Sequence, residues 1–359
     1  MRVSIIRPLA LLLLLSASAE TAAASADGAG AAPTTIAVHE REHRLAVERL
    51  ATALKRFYVI PAIGNRYAAL LRAKLRSGAY DGIASDEAFA DRVTADLQAL
   101  HRDAHLRLAP AGGFERPRPN SANLPASARP NGPPGLEEAK MIGTTAYLRF
   151  NMFPQDGGVT AKRARDFLLA HAGDARALII DERPHRGGGS EVMDAIFPLL
   201  FSEQRTLVRL DMRAAAAQGE RDDSPAMVRR KSEPGIVRAD YVVIPDTSET
   251  RLRTVPIYVL TSRRSASAAE HLALSMKISH RATLIGETTR GAGHFGRVMP
   301  MGTAFAAFIP AGRTYDPATG LDWEGVGVTP DVACDADAAL DEALRRISSS
   351  TARPNRQPR

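Results

Sequence analysis

Apolar residues recur at helical spacing through the first third of the chain. Val47, Leu50, Leu54 and Tyr58 share one face, and Pro61 is expected to end that segment. Tyr67, Leu70, Leu71 and Leu75 form a second stripe stopped by Gly78. Phe89, Val93, Leu97 and Leu100 form a third, started near Ser85 and Asp86. Three short helices therefore precede His101-Arg102-Asp103-Ala104-His105-Leu106. Residues 109–136 concentrate proline and glycine and predict an irregular linker. Beyond it the period changes. Ala146, Leu148, Phe150 and Met152 alternate as a half-buried strand, 160–171 predicts a helix, and Ala177–Asp181 a short buried strand. Gly187-Gly188-Gly189 leads into a helix at 191–201, and the charged stretch 205–254 predicts hairpins and an irregular excursion. Ile257–Thr261 is a buried strand followed by a helix at about 267–279, and Ala282–Ile285 and Ala304–Ile309 are further strands. That order predicts an α/β core behind a helical N-terminal part.

Arg2 and Arg7 precede the run Leu9 to Leu15, and Ala17-Ser18-Ala19 follows as a small-x-small site. This is the order of a secretory signal peptide cleaved after Ala19. The apolar run is far shorter than the ~20 residues that span a bilayer, and no cysteine follows to carry a lipid anchor. The expected division is a signal peptide at 1–19, a flexible lead-in at 20–37 and a helical domain at 38–108. A linker at 109–139, an α/β core at 140–347 and a disordered tail at 348–359 complete it. Hydrophobic residues make up 45% and charged residues 24%, an ordinary globular balance that excludes wholesale disorder and collagen-like repeats. The single cysteine, Cys334, cannot form an internal bridge. The net charge of +7 comes from arginines spread along the chain, so no nucleic-acid partner is expected, and no later stretch is expected to cross a membrane.

The strongest chemical signal is Thr261-Ser262-Arg263-Arg264-Ser265-Ala266-Ser267-Ala268-Ala269-Glu270. A buried strand runs into a small-residue turn and then a helix. A serine there sits beside free backbone N–H groups and the positive end of the helix dipole, which would stabilise an oxyanion. An ordinary helix cap at Ser267 fits the same residues. The three glycines at 187–189 allow close backbone approach, yet lack the Gly-Lys-Ser/Thr ending of a phosphate loop. His101 and His105 have the four-residue spacing of a zinc pair, without the glutamate of a metallopeptidase helix between them, so no metal or other cofactor is expected. Asp322-Trp323-Glu324-Gly325-Val326-Gly327 offers a carboxylate that can orient a histidine or simply brace a loop.

Taken in order, five stretches resemble the C-terminal processing (tail-specific) serine peptidase family, in the branch of the tricorn protease core and the interphotoreceptor retinoid-binding protein repeats. They are Tyr58-Val59-Ile60-Pro61; Asp96-Leu97 with Asp103-Ala104-His105-Leu106-Arg107; Ile179-Ile180-Asp181 with Gly187-Gly188-Gly189-Ser190; Tyr258 through Gly286-Glu287-Thr288-Thr289; and Trp323 through Asp331. The resemblance spans roughly 40–345 and implies a crotonase-like (ClpP-like) α/β core after the helical domain. It implies that Ser267 is the nucleophile of a peptidase acting on peptides or unfolded proteins. The lysine that many members place 25 residues later is replaced here by Ala292. In the tricorn-like branch a histidine serves instead, which falls on His105, and a neutral imidazole can take a serine proton. Glu324 is the candidate to orient it, with Glu287 and Asp103 as rivals. The N–H groups of Gly188 or Gly189 and of Ala268 would form the oxyanion hole. Three features depart from the family. Ala104 stands where the tricorn-like branch has a serine, Arg183-Pro184-His185-Arg186 is one residue longer than the usual run, and the linker is too short for a PDZ domain. A binding protein for an apolar ligand or peptide on the same scaffold is the alternative.

Overall fold

The computed structural model describes residues 35–114, 125–218 and 224–351. The expected signal peptide, most of the lead-in and the end of the tail lie outside them. Helices α1 (Thr35–Phe57), α2 (Pro61–Arg76) and α3 (Asp86–Leu100) come first. The chain continues through β1 (Arg107–Pro110), β2 (Leu136–Ile142), β3 (Thr145–Phe150), α4 (Val159–His171), β4 (Ala177–Asp181) and α5 (Glu191–Leu200). Next are β5 (Arg205–Arg213), β6 (Met227–Arg230), β7 (Ile236–Val243), β8 (Ile257–Thr261), α6 (Ala268–Ile278) and β9 (Thr283–Gly286). The last elements are β10 (His294–Pro300), β11 (Phe305–Tyr315), β12 (Val332–Ala333) and α7 (Ala339–Thr351).

Pro61 opens α2 as its first residue instead of only ending the segment before it. A proline at that position gives up an N–H that has no intrahelical acceptor anyway. Ser85 caps α3, its Oγ accepting from the Ala88 N–H at 3.1 Å. The three predicted stripes close on one another, and the same apolar cluster takes in Leu106, Leu108, Phe305, Ala307 and Ile309. The helices therefore share their core with β1 and β11, which pair antiparallel. Both ends of the expected 109–139 linker are strand, in β1 and β2.

One sheet runs β12-β9-β8-β4-β3-β2, parallel except for the β2–β3 hairpin. Helices cover both its faces. Leu168, Phe197 and Leu272 pack on one side, and Ala339, Ala343 and Ile347 on the other. Every residue of β3, β4 and β8 is buried in consequence. The alternation in β3 thus marks two buried faces and not one wet face. The second sheet runs β1-β11-β5-β7-β6, with β10 also on β11. The expected irregular stretch after residue 205 supplies three of these strands. Its charges pair across them: Arg209 and Arg230 on Asp240, and Arg238 on Asp211, each at 2.6 Å. Helix α7 was not foreseen, and it runs into the expected tail as far as Thr351.

Candidate active site

Two loops at the carboxyl ends of neighbouring parallel strands build the site. The loop after β4 and the loop after β8 are laced together. Ser265 Oγ donates to the Glu182 carbonyl at 2.7 Å, Ser262 Oγ to the Arg183 carbonyl at 2.6 Å, and the Ala266 N–H to the His185 carbonyl at 3.1 Å. Arg183 turns inward and grips Asp181 through Nε at 2.8 Å and Nη2 at 2.6 Å. Burial alone would raise the Asp181 pKa; the bonds and charges of Arg183 and Arg149 hold it below the usual carboxylate range. His185 is fully buried, and burial pushes its pKa down to about 3. The neutral ring accepts the Gly187 N–H on Nδ1 at 3.0 Å. Side chains of the segment before the glycines thus anchor the loop from within.

Ser267 joins this loop to α6 with φ 58° and ψ −114°. An ordinary cap sits in the extended region, as Ser85 does at φ −121° and ψ 146°. Ser267 is therefore a strained position, of the kind held only where the surroundings overdetermine it. Glu270 does much of the holding. Its Oε2 accepts the N–H groups of Ser267 and Ala292, both at 2.8 Å, and its Oε1 accepts Thr289 Oγ1 and the Gly291 N–H, both at 2.6 Å. Burial raises the Glu270 pKa in spite of those four donors. One buried carboxylate thus clamps the serine turn to residues 289–292.

A Cβ on Gly187 would stand 2.9 Å from that of Ser267, so the glycine loop touches the serine. The Phe153 N–H donates to the Gly187 carbonyl at 3.0 Å, and the Gly189 N–H donates to the Phe153 carbonyl at 2.9 Å. Gly188 faces Phe153 in this parallel bridge, so its own N–H points the other way. This corrects one expectation: the Gly189 amide is already spent, and Gly188 is the donor the loop leaves available. Ala268 is the first residue of α6, where an N–H has no intrahelical acceptor. Gly188, Ser267 and Ala268 line a cavity of about 220 Å³, walled by Met193, Leu210, Met227, Tyr241 and Phe295.

The acidic and imidazole groups gather around Asp103, His294 and Glu324. Helix α3 ends at Leu100, and His101 leaves it in extended conformation. His101 and His105 therefore share no helix face, and the zinc-pair spacing loses its geometric basis. The His105 ring lies against Phe308 at 5.2 Å between centroids and does not line the serine cavity. Glu324 accepts the Ala104 N–H on Oε1 at 2.7 Å, and the Gly293 and His294 N–H groups on Oε2 at 2.7 and 2.9 Å. Its carboxylate joins the segment before His105 to the segment that follows Ala292. Glu287 accepts from the Arg263 N–H at 3.1 Å. Asp103 takes the Tyr58 hydroxyl and His294 Nδ1 on Oδ2 at 2.8 and 2.7 Å, and the His105 and Leu106 N–H groups on Oδ1 at 3.0 and 3.1 Å.

His294, on β10, joins this cluster although the sequence does not single it out. It is 2% exposed, and its Nε2 has no hydrogen-bond partner among the described residues. Burial would lower its pKa, but the bond to Asp103 and the charge of Asp103 raise it overall. Asp103 is correspondingly held low, against its own burial, chiefly by the bond to His294. The available signal was a histidine two residues beyond the missing lysine, in Gly291-Ala292-Gly293-His294. The oxygens of Asp103 and Glu324 accept backbone, phenol and imidazole donors. Elsewhere, Asp86 Oδ1 lies 3.0 Å from His43 Nε2 and 3.5 Å from His39 Nδ1, a second place among the described residues where metal-type ligands converge.

A strained serine at a strand-to-helix turn lies beside Gly188 and Ala268 on an α/β scaffold, in the arrangement a candidate nucleophile requires. The chain belongs to peptidase family S41, whose model matches residues 144–334. A second model, the N-terminal domain of peptidase S41 in eukaryotic IRBP, matches residues 30–142. A chloroplastic C-terminal processing peptidase of Tetradesmus obliquus is 29% identical over 237 residues, which is 65% of this chain and 43% of that protein. A carboxy-terminal-processing protease of Bartonella bacilliformis is 36% identical over 77 residues, 21% of this chain and 18% of its own. The chain thus spans less than half the length of these curated relatives. Two solved structures share the fold. The photosystem II D1 C-terminal processing protease matches with TM-score 0.51 at 17% identity, over 86% of this chain and 98% of its own. A lipoprotein from Streptococcus agalactiae matches with TM-score 0.54 at 14% identity, over 87% and 96%. The motif resemblance therefore holds at the level of the family, and the α/β core with its helical N-terminal part is as expected.

Proposed function

We propose that the protein is an exported serine endopeptidase that hydrolyses peptides or unfolded proteins through an acyl-enzyme on Ser267. The observation that carries this is the strained Ser267 backbone at φ 58°, in a cavity that Gly188 and Ala268 also line. Attack of Oγ on a peptide carbonyl places the new oxyanion where those two N–H groups can bind it, the largest single contribution in such reactions. The base that takes the Oγ proton is a histidine, because Ala292 stands where many relatives carry lysine. A second cavity of about 190 Å³ shares Leu210, Met227 and Phe295 with the first, so an apolar side chain of the substrate fits beside the reacting bond.

Labelling with a fluorophosphonate tests the reading. The wild-type protein is expected to react at Ser267, and Ser267→Ala to lose both labelling and cleavage of a casein-like substrate while staying folded. Residual catalysis of about 10³–10⁴ over water is compatible with that loss. A folded wild-type protein that takes no label would leave the binding-protein alternative in its place.

A further inference from the structure

We infer that His39, His43 and Asp86 form a binding site for a divalent transition-metal ion, best matched by zinc, that ties α1 to α3. The site is separate from Ser267 and does not depend on Ser267 being a nucleophile. The sequence carries the first sign. Residues 39–43 read His-Glu-Arg-Glu-His, the His-Glu-x-x-His spacing that puts two imidazoles on one side of a helix. Residues four apart are neighbours only where the chain is helical. His101 and His105 fail that condition because α3 ends at Leu100, whereas His39 and His43 meet it inside α1.

The structure supplies the third ligand. Asp86 is the first residue of α3, 43 positions beyond His43. Its Oδ1 lies 3.0 Å from His43 Nε2 and 3.5 Å from His39 Nδ1. All three donor atoms lie within 4.8 Å of one another. A tetrahedral zinc with bonds of about 2.0–2.1 Å spaces its ligand atoms about 3.3–3.4 Å apart. Two of the three edges therefore stand close to coordination distance already. The third runs between the two imidazoles, and His39, whose side chain is 49% exposed, has room to close it by turning.

His43 is fixed before any ion arrives. Its ring lies flat on Phe89, 3.9 Å between centroids and 5° between planes, with Phe305 edge-on at 5.5 Å. Core packing thus aims Nε2 at Asp86, and a ligand locked in this way loses little freedom on binding. Two imidazoles converge on one carboxylate oxygen. Hydrogen bonds hold that arrangement only when both rings turn an N–H toward Oδ1; a cation among the three atoms uses three lone pairs at once.

The donor set selects the ion. Two nitrogens and one carboxylate oxygen suit zinc and its neighbours in the first transition row, whereas calcium and magnesium take oxygen shells. Three protein ligands leave a fourth position for water, on the side where His39 and Asp86 reach solvent. Glu42, between the histidines, is turned to Thr303 Oγ1 at 3.2 Å. Glu40 stands where a zinc peptidase carries its base, but it is exposed, and the site proposed is one for binding.

The test uses the full-length protein, stripped with a chelator and titrated with zinc in a calorimeter. One zinc per chain is expected, with affinity in the micromolar range or tighter, and neither calcium nor magnesium should compete. Cobalt, as an optical probe, should give the strong d–d absorption of a four-coordinate ion. The melting temperature should rise by several degrees when free zinc exceeds its Kd about a hundredfold. His39→Ala and Asp86→Asn should each lower the affinity by at least about 10²-fold, since losing a group that only orients a ligand already costs roughly 10–100-fold. Because His39 is half-exposed, its variant keeps the fold even if a His43 variant does not. The metal site is refuted by zinc uptake only at millimolar concentration, by equal uptake of calcium, or by unchanged affinity in both variants. Fluorophosphonate labelling is read in the same samples. Zinc binding without label removes the peptidase reading alone, and label without zinc binding removes the metal site alone.

Discussion

Gly188→Ala is a sharp perturbation of the oxyanion assignment. A Cβ there would lie 1.9 Å from the Phe153 carbonyl oxygen and 2.6 Å from its carbon, with φ at 135°. No L side chain is at ease at that φ, and forcing one there costs about 1–3 kcal/mol. The obstacle is backbone, fixed by bonds at 3.0 and 2.9 Å on either side of residue 188, so it cannot swing away. The loop must move, and the Gly188 N–H moves with it. Removing one oxyanion donor costs roughly 10²–10³ in kcat. The expected outcome is a kcat reduced by at least about 10², with KM little changed. The melting temperature should fall by several degrees, at roughly 2–4 °C per kcal/mol in a domain of this size. Gly189→Ala is the internal control. Its φ lies outside the left-handed region, a Cβ would meet only Gln155 Cγ at 3.7 Å, and its N–H is already bonded. That variant should keep its melting temperature and most of its kcat. Wild-type kcat in Gly188→Ala, or equal losses in the two variants, would show that the donor has been misassigned.

Two further expectations concern the strain and the buried pair. Ser267→Gly and Ser267→Ala should both be inactive, but the glycine variant should melt higher, because it relieves ~1–3 kcal/mol of strain against ~0.5–1 kcal/mol of added chain entropy. Thermal unfolding decides, and a glycine variant that melts below the alanine one would remove the strain argument. The Asp103–His294 pair should make stability depend on pH from both sides. The lowered Asp103 pKa contributes stability present above the unfolded carboxylate value, about 3.9, and lost as pH falls through the folded value. The raised His294 pKa contributes stability complete below about 6.5 and lost as pH rises through the folded value. The destabilisation caused by His294→Gln should thus be largest between those limits in denaturant titrations. A pH-independent difference would contradict the ion-pair account.

The fold was legible wherever a local pattern met one environment. The stripes of α1–α3 and the uninterrupted apolar runs of β4 and β8 predict their elements because each has a single way to bury its surface. Patterns with two burial partners misled. Residues of β3 alternate in sequence, yet helices cover both faces of its sheet. The charges of 205–243 suggested loop because their partners lie across strands, as Arg238 finds Asp211 from 27 residues away. At the site, Ser267 was legible because strand, turn and helix are contiguous. Its strain was not, since φ 58° follows from bonds to Glu270 and from the abutting Gly187. The Asp103–His294 pair was not legible because its two members lie 191 residues apart in sequence.

That distance ties the helical N-terminal part to the candidate site. The two family models meet between residues 142 and 144, within the β2–β3 hairpin. Ser267, His294 and Glu324 lie on one side of this boundary, Asp103 and Ala104 on the other. Without the helices, the imidazole of His294 would lose its carboxylate and the Tyr58 ring beside it, and Glu324 would lose the Ala104 amide. The helices cannot drift from the core without breaking the shared cluster at Phe305, Ala307 and Ile309, or the bond from the Val59 N–H to the Pro310 carbonyl at 3.0 Å. Tyr58, the residue before that bond, places its hydroxyl on Asp103. The apolar packing of α1 on β11 thus sets the position of the acid that faces His294, and a core substitution at that seam should be felt in the pH profile before it is felt in the melting temperature.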